Sequence, residues 1–459
     1  MKQINKIFLL LILISGVTSC KKVLDTEPQQ SIDASTALQN DQDVNSLIIG
    51  AYSRMGHPNL YGTDLLLMPD LLGSDDVCEW RGTFTSPDDI ASKAMDRNNT
   101  DADLIWETAY DAINIANTAI GALGVVKDAD LKKQLEGEAL FVRGIMHFEL
   151  VRLFALPWGA TADNSQLGVV IKTDATKNEV DAGKSYPRNT VKEVYTQIVA
   201  DLTKAITLLP EENPKRVTKY TALAFLSRVY LQQQNYAGAR DAADQVIESG
   251  YYTLNASVNA VFNNKDTKES IWEIQQNDQN NAGTANNGMA TFYASLPGIG
   301  RGDVRIDDDF VANAYPTDDL RQTQWYYQGT GARPNHTYCA KWTSFSQNLP
   351  VVRLAEMYLT RAEGNLVMGT TVGDTPGNDL AMVKNPLRTN SVAPANPTLN
   401  DIRNERFIEL AFEGQRIHDL KRLRLPTGSY SWNSPKLVMP IPQREIDATR
   451  GVLIQNPGY

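Results

Sequence analysis

The segment from Val217 to Leu254 constrains the fold more than any other part of the chain, because its pattern predicts two helices joined by a very short link. Apolar residues recur at helical spacing before and after Gln234-Asn235, which favours an antiparallel helix hairpin. Residues typical of a tetratricopeptide unit occur at the expected offsets: Leu223, Leu226, Ser227, Tyr230, Tyr236, Ala239 and Ala243. An ordinary helical hairpin is the alternative. Either unit leaves an apolar face uncovered, so we expect further helices to stack on it.

Helical spacing of apolar residues returns several times along the chain. The further helices predicted are 41–55, 103–123, 130–154, 191–209, 351–368 and 401–424. Thr190 is the expected N-cap of the helix that ends before Pro210. We therefore expect a mainly α fold in a single domain, residues 31–459, with helical repeats mainly in residues 40–250 and 351–424.

Two stretches lack helical spacing, residues 56–100 and 258–348. The second contains Ser270–Gln275, which alternates like a strand, and continues into a segment rich in Asn and Gly between Asn277 and Gly300. Binding residues are frequent on irregular segments that a rigid scaffold holds in place. We expect these two stretches to form a loop-rich ligand-binding region.

The first residues predict a targeting segment. Lys2 and Lys6 precede a short apolar run, residues 7–14, which is followed by small residues up to Ser19 and Cys20. This arrangement is typical of a bacterial signal peptide, residues 1–19, and is too short to span a bilayer. Ser19 directly before Cys20 predicts lipidation of that cysteine, with residues 20–30 as a tether. A standard signal peptide with an incidental cysteine is the alternative.

Charge and motif content exclude several classes of function. A net charge of −10 argues against a nucleic-acid partner, since phosphate binding needs a basic face. The four histidines are scattered without an HExxH motif, and the sequence contains neither a P-loop nor a G-x-S-x-G elbow. We predict no catalytic residue, no metal site and no cofactor, and hence a protein that is not an enzyme.

Three glutamates near the C-terminus look catalytic but have a simpler interpretation. Glu405, Glu409 and Glu413 are spaced so that they share one face of the predicted helix 401–424. A row of carboxylates repels itself unless cations meet it, and arginines are available: Arg361, Arg403, Arg406 and Arg416. We therefore predict ion pairs that lock helices together rather than acid–base catalysis.

Aromatic residues in the irregular stretches are candidates for ligand contact. Sugar rings present apolar C–H faces and a rim of hydroxyls, so an exposed aromatic platform beside charged or amide groups would suit them. The candidate ligand-binding residues are Asp75, Asp76, Trp80, Arg81, Tyr293, Trp325, Tyr327 and Trp342. Core packing is the alternative for each ring.

Cys78 and Cys339 are the remaining cysteines. Each lies within three residues of a candidate platform, Trp80 or Trp342, so the two cysteines would be close if both rings faced one ligand. A disulfide and a pair of buried free thiols are both compatible with the sequence.

The C-terminal segment RNERFIELAFEGQRIHDLKRLR closely resembles the signature of the SusD/RagB family of Bacteroidetes outer-membrane lipoproteins. The segments VIESGYYTL, SIWEIQ, VVRLAEMYLTRAEGNL and QNPGY agree with the family in the same order. This resemblance implies a scaffold of four tetratricopeptide-like helix pairs with an irregular second region. It also implies a SusC-like TonB-dependent transporter as partner and glycan capture as the commonest role.

The sequence thus predicts a lipid-anchored outer-membrane protein that faces the cell surface and binds oligosaccharide or polysaccharide for delivery to that transporter. A peptide-binding member of the same family is one alternative. A tetratricopeptide scaffold that binds other proteins is another, and a glycosidase is a third.

Overall fold

The computed structural model describes residues 38–459, apart from the side chains of residues 179 and 285. The predicted signal peptide, the lipidation of Cys20 and the tether of residues 20–30 lie outside the described residues. In chain order the helices are α1 (Asp41–Met55), α2 (Asp64–Leu72), α3 (Thr85–Ala91), α4 (Thr100–Ala122), α5 (Ala129–Phe154), α6 (Glu179–Ala182), α7 (Val191–Leu208), α8 (Lys219–Gln232), α9 (Tyr236–Glu248), α10 (Ala260–Asn263), α11 (Met289–Tyr293), α12 (Asp308–Ala314), α13 (Leu320–Gln324), α14 (Leu354–Met368), α15 (Pro376–Val383), α16 (Pro386–Thr389), α17 (Leu399–Glu409), α18 (Arg416–Arg422) and α19 (Gln443–Ala448).

The long helices form a layered stack of antiparallel pairs. α1 packs on α4, α5 on α7, α8 on α9 and α14 on α15, and each pair packs on the next. The prediction of a mainly α fold with four tetratricopeptide-like helix pairs is confirmed. Because every pair covers an apolar face of its neighbour, the stack encloses a main core, and a second, smaller apolar cluster lies between α14, α15 and α17.

Local capping explains where several of these helices begin. The Thr190 side chain accepts a hydrogen bond from Glu193 N, and Glu193 caps the Thr190 backbone in return. Thr218 and Thr398 begin α8 and α17 in the same way. The Thr190 N-cap predicted from the sequence is therefore confirmed.

The α8–α9 hairpin has the close backbone approach that its small residues predict. Ala224, Ser227 and Ala243 are fully buried between the helices, and Ser227 Oγ donates a hydrogen bond to Ala239 O at 3.0 Å. Gly250, just past the end of α9, has φ +72°, the left-handed conformation that glycine adopts without strain.

The strands form three short antiparallel ribbons rather than a large sheet. They are β1 (Cys78–Trp80) with β3 (Val304–Ile306), β2 (Ser270–Ile274) with β6 (Leu349–Arg353), and β4 (Tyr326–Gln328) with β5 (Thr337–Cys339). The predicted strand at 270–275 is confirmed as β2. Its Trp272 ring lies 5.8 Å from the Tyr61 ring and 6.1 Å from the Phe225 ring, in the core of the helical stack.

The stretch 56–100 is less irregular than predicted, because it contains α2, whose nine residues are all buried. The sequence DLLLMPDLL is apolar on every side, and such a helix leaves no periodic signal to detect. Its Asp70 carboxylate accepts hydrogen bonds from Gly414 N at 2.9 Å and Arg416 N at 3.4 Å, so α2 holds the C-terminal signature in place.

The single helix predicted for 401–424 is wrong. The helix stops at Glu409 and resumes at Arg416, with Phe412 at φ +62° and Gly414 at φ +75° between the two parts. A Cβ on Gly414 would lie 2.7 Å from Leu65 O, so the backbone of α2 approaches the turn too closely for any other residue. This tertiary contact breaks a segment whose own spacing favours a continuous helix.

The three signature glutamates nevertheless lie in a buried ion-pair network, as predicted. Glu405 pairs with Arg321, and Glu413 pairs with Lys341 and Arg353. We define the glutamate–arginine cluster as the five cations and five carboxylates linked in this way: Arg321, Lys341, Arg353, Lys384, Arg388, Glu269, Asp319, Glu405, Glu409 and Glu413.

The prediction that these glutamates meet Arg361, Arg403, Arg406 and Arg416 is wrong, because three of the arginines pair with other carboxylates and the fourth lies over an aromatic ring. Arg403 pairs with Glu363 at 2.9 Å, and Arg406 pairs with Glu356 at 3.1 Å. Arg361 pairs with Asp379, and Arg416 lies over the Phe407 ring. The sequence indicated that cations would meet the glutamates but could not show which long-range partners the fold supplies.

Candidate functional site

The β1–β3 ribbon brings the two irregular stretches together. Trp80 is opposite Val304 in the register, and Arg81 N donates to Asp303 O at 2.6 Å just beyond the ribbon. The residues that follow β1 therefore lie beside the residues that precede β3. We call this region the arginine surface and define it by Arg81, Phe84, Arg301, Asp303 and Arg333.

Phe84 supplies an exposed aromatic ring at the arginine surface. Its relative exposure is 43%, and the Arg301 guanidinium carbon lies 4.4 Å from the ring centroid. Beneath it, the Phe292 ring lies 6.3 Å away, and Trp80 Nε1 donates to Phe84 O at 3.1 Å. The exposed ring thus rests on a buried aromatic layer that fixes its position.

A buried carboxylate fixes the arginines around this ring. Asp303 is fully buried and forms ion pairs with Arg301 at 2.8 Å and with Arg333 at 3.4 Å. Burial raises the pKa of Asp303, while the two guanidinium groups oppose that rise. Arg333 also donates to the Arg81 carbonyl. Both arginine side chains keep part of their surface in solvent, 25% for Arg301 and 30% for Arg333, so a ligand can reach them.

Glu79 adds a second carboxylate at the edge of the arginine surface. It pairs with Arg81 at 2.5 Å and with Arg305 at 3.1 Å. The Arg81 hydrogen bond is the main cause that lowers the pKa of Glu79. The surface therefore combines an exposed ring with several guanidinium groups and the Glu79 carboxylate, which can contact an apolar face and several hydroxyls at once.

Two of the candidate residues, Trp80 and Arg81, lie at this surface, but only Arg81 is exposed. The Trp80 ring has a relative exposure of 6%, packs 5.6 Å from Phe292 and leaves no room for a side chain at Gly82. The expectation that Trp80 is an exposed platform is wrong. Asp75 and Asp76 lie at the other end of β1, where Asp75 pairs with Lys93 at 2.8 Å.

The expectation of exposed rings is also wrong for Tyr293, Trp325 and Trp342, which are fully buried. Trp325 Nε1 donates to Val258 O at 3.2 Å, and Trp342 Nε1 donates to Phe412 O at 2.9 Å. The irregular stretch 258–348 folds over these rings and makes them part of the main core.

Tyr327 is half-buried and borders the arginine surface indirectly. Its hydroxyl accepts a hydrogen bond from Ser295 N at 2.9 Å, and Ser295 Oγ in turn accepts one from Arg333 N. Its role in ligand contact stays a prediction.

Both cysteines are free thiols in the core. Burial raises the pKa of each, and each thiol lies near Asp70, whose charge raises it further. The sequence was compatible with a disulfide and with two buried free thiols, and the structure contains the two buried free thiols.

Sequence reasoning missed Phe84, Arg301, Asp303 and Arg333. Arg301 and Asp303 stand in the segment GIGRGD, where glycines flank charged residues, and this local pattern could have drawn attention to them. No pattern in the neighbouring sequence indicates that Arg333 belongs to the site, because its position depends on the long-range contact with Ser295.

A second opening lies at the end of β2, with a volume of about 1250 Å³ that includes open solvent. We call it the amide groove and define it by Tyr52, His57, Gln275, Asn280 and Asn281. It contains the Asn-rich segment that the sequence indicated as a ligand loop. The groove is lined by amide side chains, and the Trp272 ring beneath them is buried.

Residues 38–459 contain no group of three or more His, Cys, Asp or Glu side chains placed to hold a metal ion. Within the same residues, no helix combines the length and the apolar character that crossing a membrane requires.

Two family models match the chain. One, described as starch-binding and associating with the outer membrane, matches residues 22–231, and the other, described as the SusD family, matches residues 314–437. Together they span well over half of the sequence. The chain belongs to the SusD/RagB family. Members of this family are binding proteins and not enzymes.

Relatives of this SusD/RagB protein include SusD-like protein P2 of Formosa agariphila. It is 26% identical over 519 residues, which cover 100% of this chain and 97% of that protein. The starch-binding protein SusD of Bacteroides thetaiotaomicron is 30% identical over 176 residues, or 35% of this chain and 30% of that protein.

Solved structures of the SusD superfamily share the fold. A member from Bacteroides thetaiotaomicron has a TM-score of 0.80 at 25% identity and covers 91% of this chain and 100% of its own. Surface glycan-binding protein A from the same organism, in complex with laminarihexaose, has a TM-score of 0.75 at 20% identity. It covers 91% of this chain and 99% of its own.

Proposed function

We propose that this SusD/RagB protein binds glycan at the arginine surface. The observation that carries the proposal is the exposed Phe84 ring, held beside Arg301 above a buried aromatic layer. The ring would cover the apolar face of one sugar unit. The neighbouring guanidinium and carboxylate groups would hydrogen-bond to its hydroxyls, and bonds to charged groups contribute about 1.5–3 kcal/mol each.

The surface is suited to such binding because its groups are already fixed. Asp303 holds Arg301 and Arg333 by ion pairs, and the Trp80 indole holds the Phe84 backbone. A ligand that meets fixed groups avoids part of the entropy cost of ordering them.

The comparisons support the ligand class. One matching family model is described as starch-binding, one relative is a starch-binding protein, and one solved structure of the same fold contains laminarihexaose. Glycan is therefore the ligand we infer for this chain.

We further propose that the protein delivers glycan to a SusC-like TonB-dependent transporter from a lipid anchor at Cys20. The description of the family as associating with the outer membrane supports this location. A binding protein tethered above its channel would raise the local glycan concentration at the channel entrance.

Calorimetric titration against a panel of oligosaccharides that includes maltohexaose and laminarihexaose tests the site. Phe84→Ala should weaken binding at least tenfold, which is about 1.4 kcal/mol, and leave the melting temperature nearly unchanged. Tyr186→Ala is the matched control, because Tyr186 is exposed to a similar degree, 39%, in a different cleft.

The outcome also separates the alternatives. Binding that is insensitive to Phe84→Ala but lost in Gln275→Ala would place the site in the amide groove. Binding of a peptide library with no affinity for any oligosaccharide would favour the peptide-binding alternative. Capture of a folded protein by the helical stack would favour the tetratricopeptide scaffold.

A further inference from the structure

A small cavity that shares no residue with the arginine surface is lined by basic and hydrogen-bond-donating side chains. It lies between the C-terminal end of α5, the segment 155–158 and α18, and the space in it that a water-sized sphere can occupy is about 10 Å³. The polar or aromatic side chains that line it are Arg152, Trp158, Tyr195, Gln232, His418 and Lys421.

Lys421 brings an uncompensated charge into this cavity. Its side chain is 2% exposed, and its Nζ has one hydrogen bond, to Arg152 O at 3.4 Å. No carboxylate of residues 38–459 lies within ion-pair distance of Nζ. Burial, and then the charge of Arg152, lowers the pKa of Lys421 to about 7.

Two further groups at the cavity lack acceptors. Neither ring nitrogen of His418 has a hydrogen-bond partner among the described residues, although the ring is 1% exposed. Arg152 donates through Nε and Nη2 to Glu149 at 2.7 and 2.6 Å, but its buried Nη1 has no partner within that part of the chain. Each such buried donor carries a desolvation cost of about 1–3 kcal/mol.

The other charges near the cavity are already paired. Glu149 is engaged by Arg152 and by the Tyr61 hydroxyl at 2.6 Å. Arg422 is neutralised by Glu363 and Asp419, and Arg228 by Glu356. The cavity therefore has donors in excess and one positive charge without a counter-ion.

We propose that this cavity binds a small monovalent inorganic anion, which accepts hydrogen bonds from Lys421 Nζ and Arg152 Nη1 and from one ring N–H of His418. A single negative charge matches the single uncompensated ammonium. The small space, about 10 Å³, favours a halide over a larger oxyanion. Burial lowers the pKa of His418 well below its usual range, so this ring contributes as a neutral donor.

Such an anion would join the last signature helix to the first half of the stack, because Lys421 and His418 belong to α18 and Arg152 belongs to α5. It would bind the protonated form of Lys421. Affinity should therefore be higher at pH 6 than at pH 8.5, where the unliganded ammonium has lost its proton.

Thermal melts of the full mature protein test the proposal, with sodium chloride or bromide compared with sodium gluconate at constant ionic strength. The melting temperature should rise with halide concentration at pH 6, and the rise should be smaller at pH 8.5. Lys421→Met should abolish the halide dependence, and Lys219→Met, at a partly exposed lysine paired with Glu211, should retain it.

Crystals soaked in bromide provide a readout that needs no variant. An anomalous peak between Lys421 Nζ and Arg152 Nη1 is the expected result. A water molecule there, melting temperatures that are equal in halide and gluconate, or a halide dependence that survives in Lys421→Met would each overturn the proposal. If Lys421→Met does not fold, the bromide map of the unaltered protein decides.

Discussion

Replacement of Glu409 by Gln should destabilise the fold more than any exposed charge substitution. Glu409 is fully buried, and its carboxylate accepts hydrogen bonds from Arg388 and Arg321 at 2.8 Å and from Arg353 at 3.0 Å. Burial alone would raise the pKa of Glu409, but these three guanidinium groups hold it well below its ordinary value. The carboxylate is therefore ionised at neutral pH, and its negative charge is needed to balance the positive charges of the glutamate–arginine cluster.

The expected loss of stability follows from the buried arginines that the neutral side chain in Glu409→Gln would leave without a counter-ion. Five cations, of which only Lys384 has a side chain that water reaches appreciably, would then face four carboxylates, and Arg388 would keep Glu269 as its one carboxylate partner, at 3.3 Å. Removal of one partner from a buried ion pair costs about 3–5 kcal/mol. With an unfolding entropy of about 2.1 cal/mol/K per residue over about 420 residues, that loss lowers the melting temperature by about 3–6 °C.

Calorimetry or circular-dichroism melts at pH 7 measure the shift. Glu248→Gln is the matched control, because Glu248 pairs with Arg361 at 3.1 Å but its side chain is 62% exposed. Exposed pairs contribute about 0–1 kcal/mol, so this variant should melt close to the unaltered protein. Equal shifts for the two variants, or no shift for Glu409→Gln, would refute the view that the cluster is a balanced buried network.

Three further predictions concern other buried groups. Trp80→Ala should cost about 3–5 kcal/mol in denaturant unfolding, because the ring lies in the core; an unchanged midpoint would mean that the ring is not part of it. Cys78 and Cys339 should react with Ellman's reagent only after denaturation, and rapid reaction of the native protein would contradict their burial. Burial raises the pKa of Glu356, but Arg228 and Arg406 lower it to about 2. The free energy of unfolding of the unaltered protein should thus exceed that of Glu356→Gln by a constant amount above pH about 5, and this difference should shrink as pH falls from about 4.5 to 2. A difference that persists at pH 2 would argue against this pairing.

The helical stack was predictable from sequence because its signals are local. The helix 41–55 has the predicted bounds, and Thr190 caps the next long helix after α5 as its sequence indicates. Side-chain spacing and capping depend on residues a few positions apart, so no tertiary knowledge is needed to detect them.

The break in the C-terminal signature could not be predicted in this way. Its cause is the close approach of Gly414 to Leu65 O and the hydrogen bond to Asp70, and both partners lie about 340 residues earlier in the chain. The helix that provides them, α2, was itself hidden, because a segment that is apolar on all sides has no period.

The candidate site was predicted only in outline. Trp80 and Arg81 indicated the loop that forms part of the arginine surface, but the exposed ring in that loop belongs to Phe84, four residues after Trp80. Composition identifies an aromatic residue in an irregular segment, yet exposure depends on what folds over it. Trp325 and Trp342 show the same limit, since their own segment covers them.

The glutamate–arginine cluster also determines when this chain can finish folding. Its members extend from Glu269 to Glu413, and the carboxylate shared by three arginines is Glu409, within the last 60 or so residues of the sequence. Without that residue, Arg321 would keep Asp319 and Glu405, Arg353 would keep Glu269 and Glu413, and Arg388 would keep Glu269 alone. The assembly of this cluster therefore depends on contacts that bridge 21 to 88 residues of sequence, and contacts of long separation form more slowly than those within a helix.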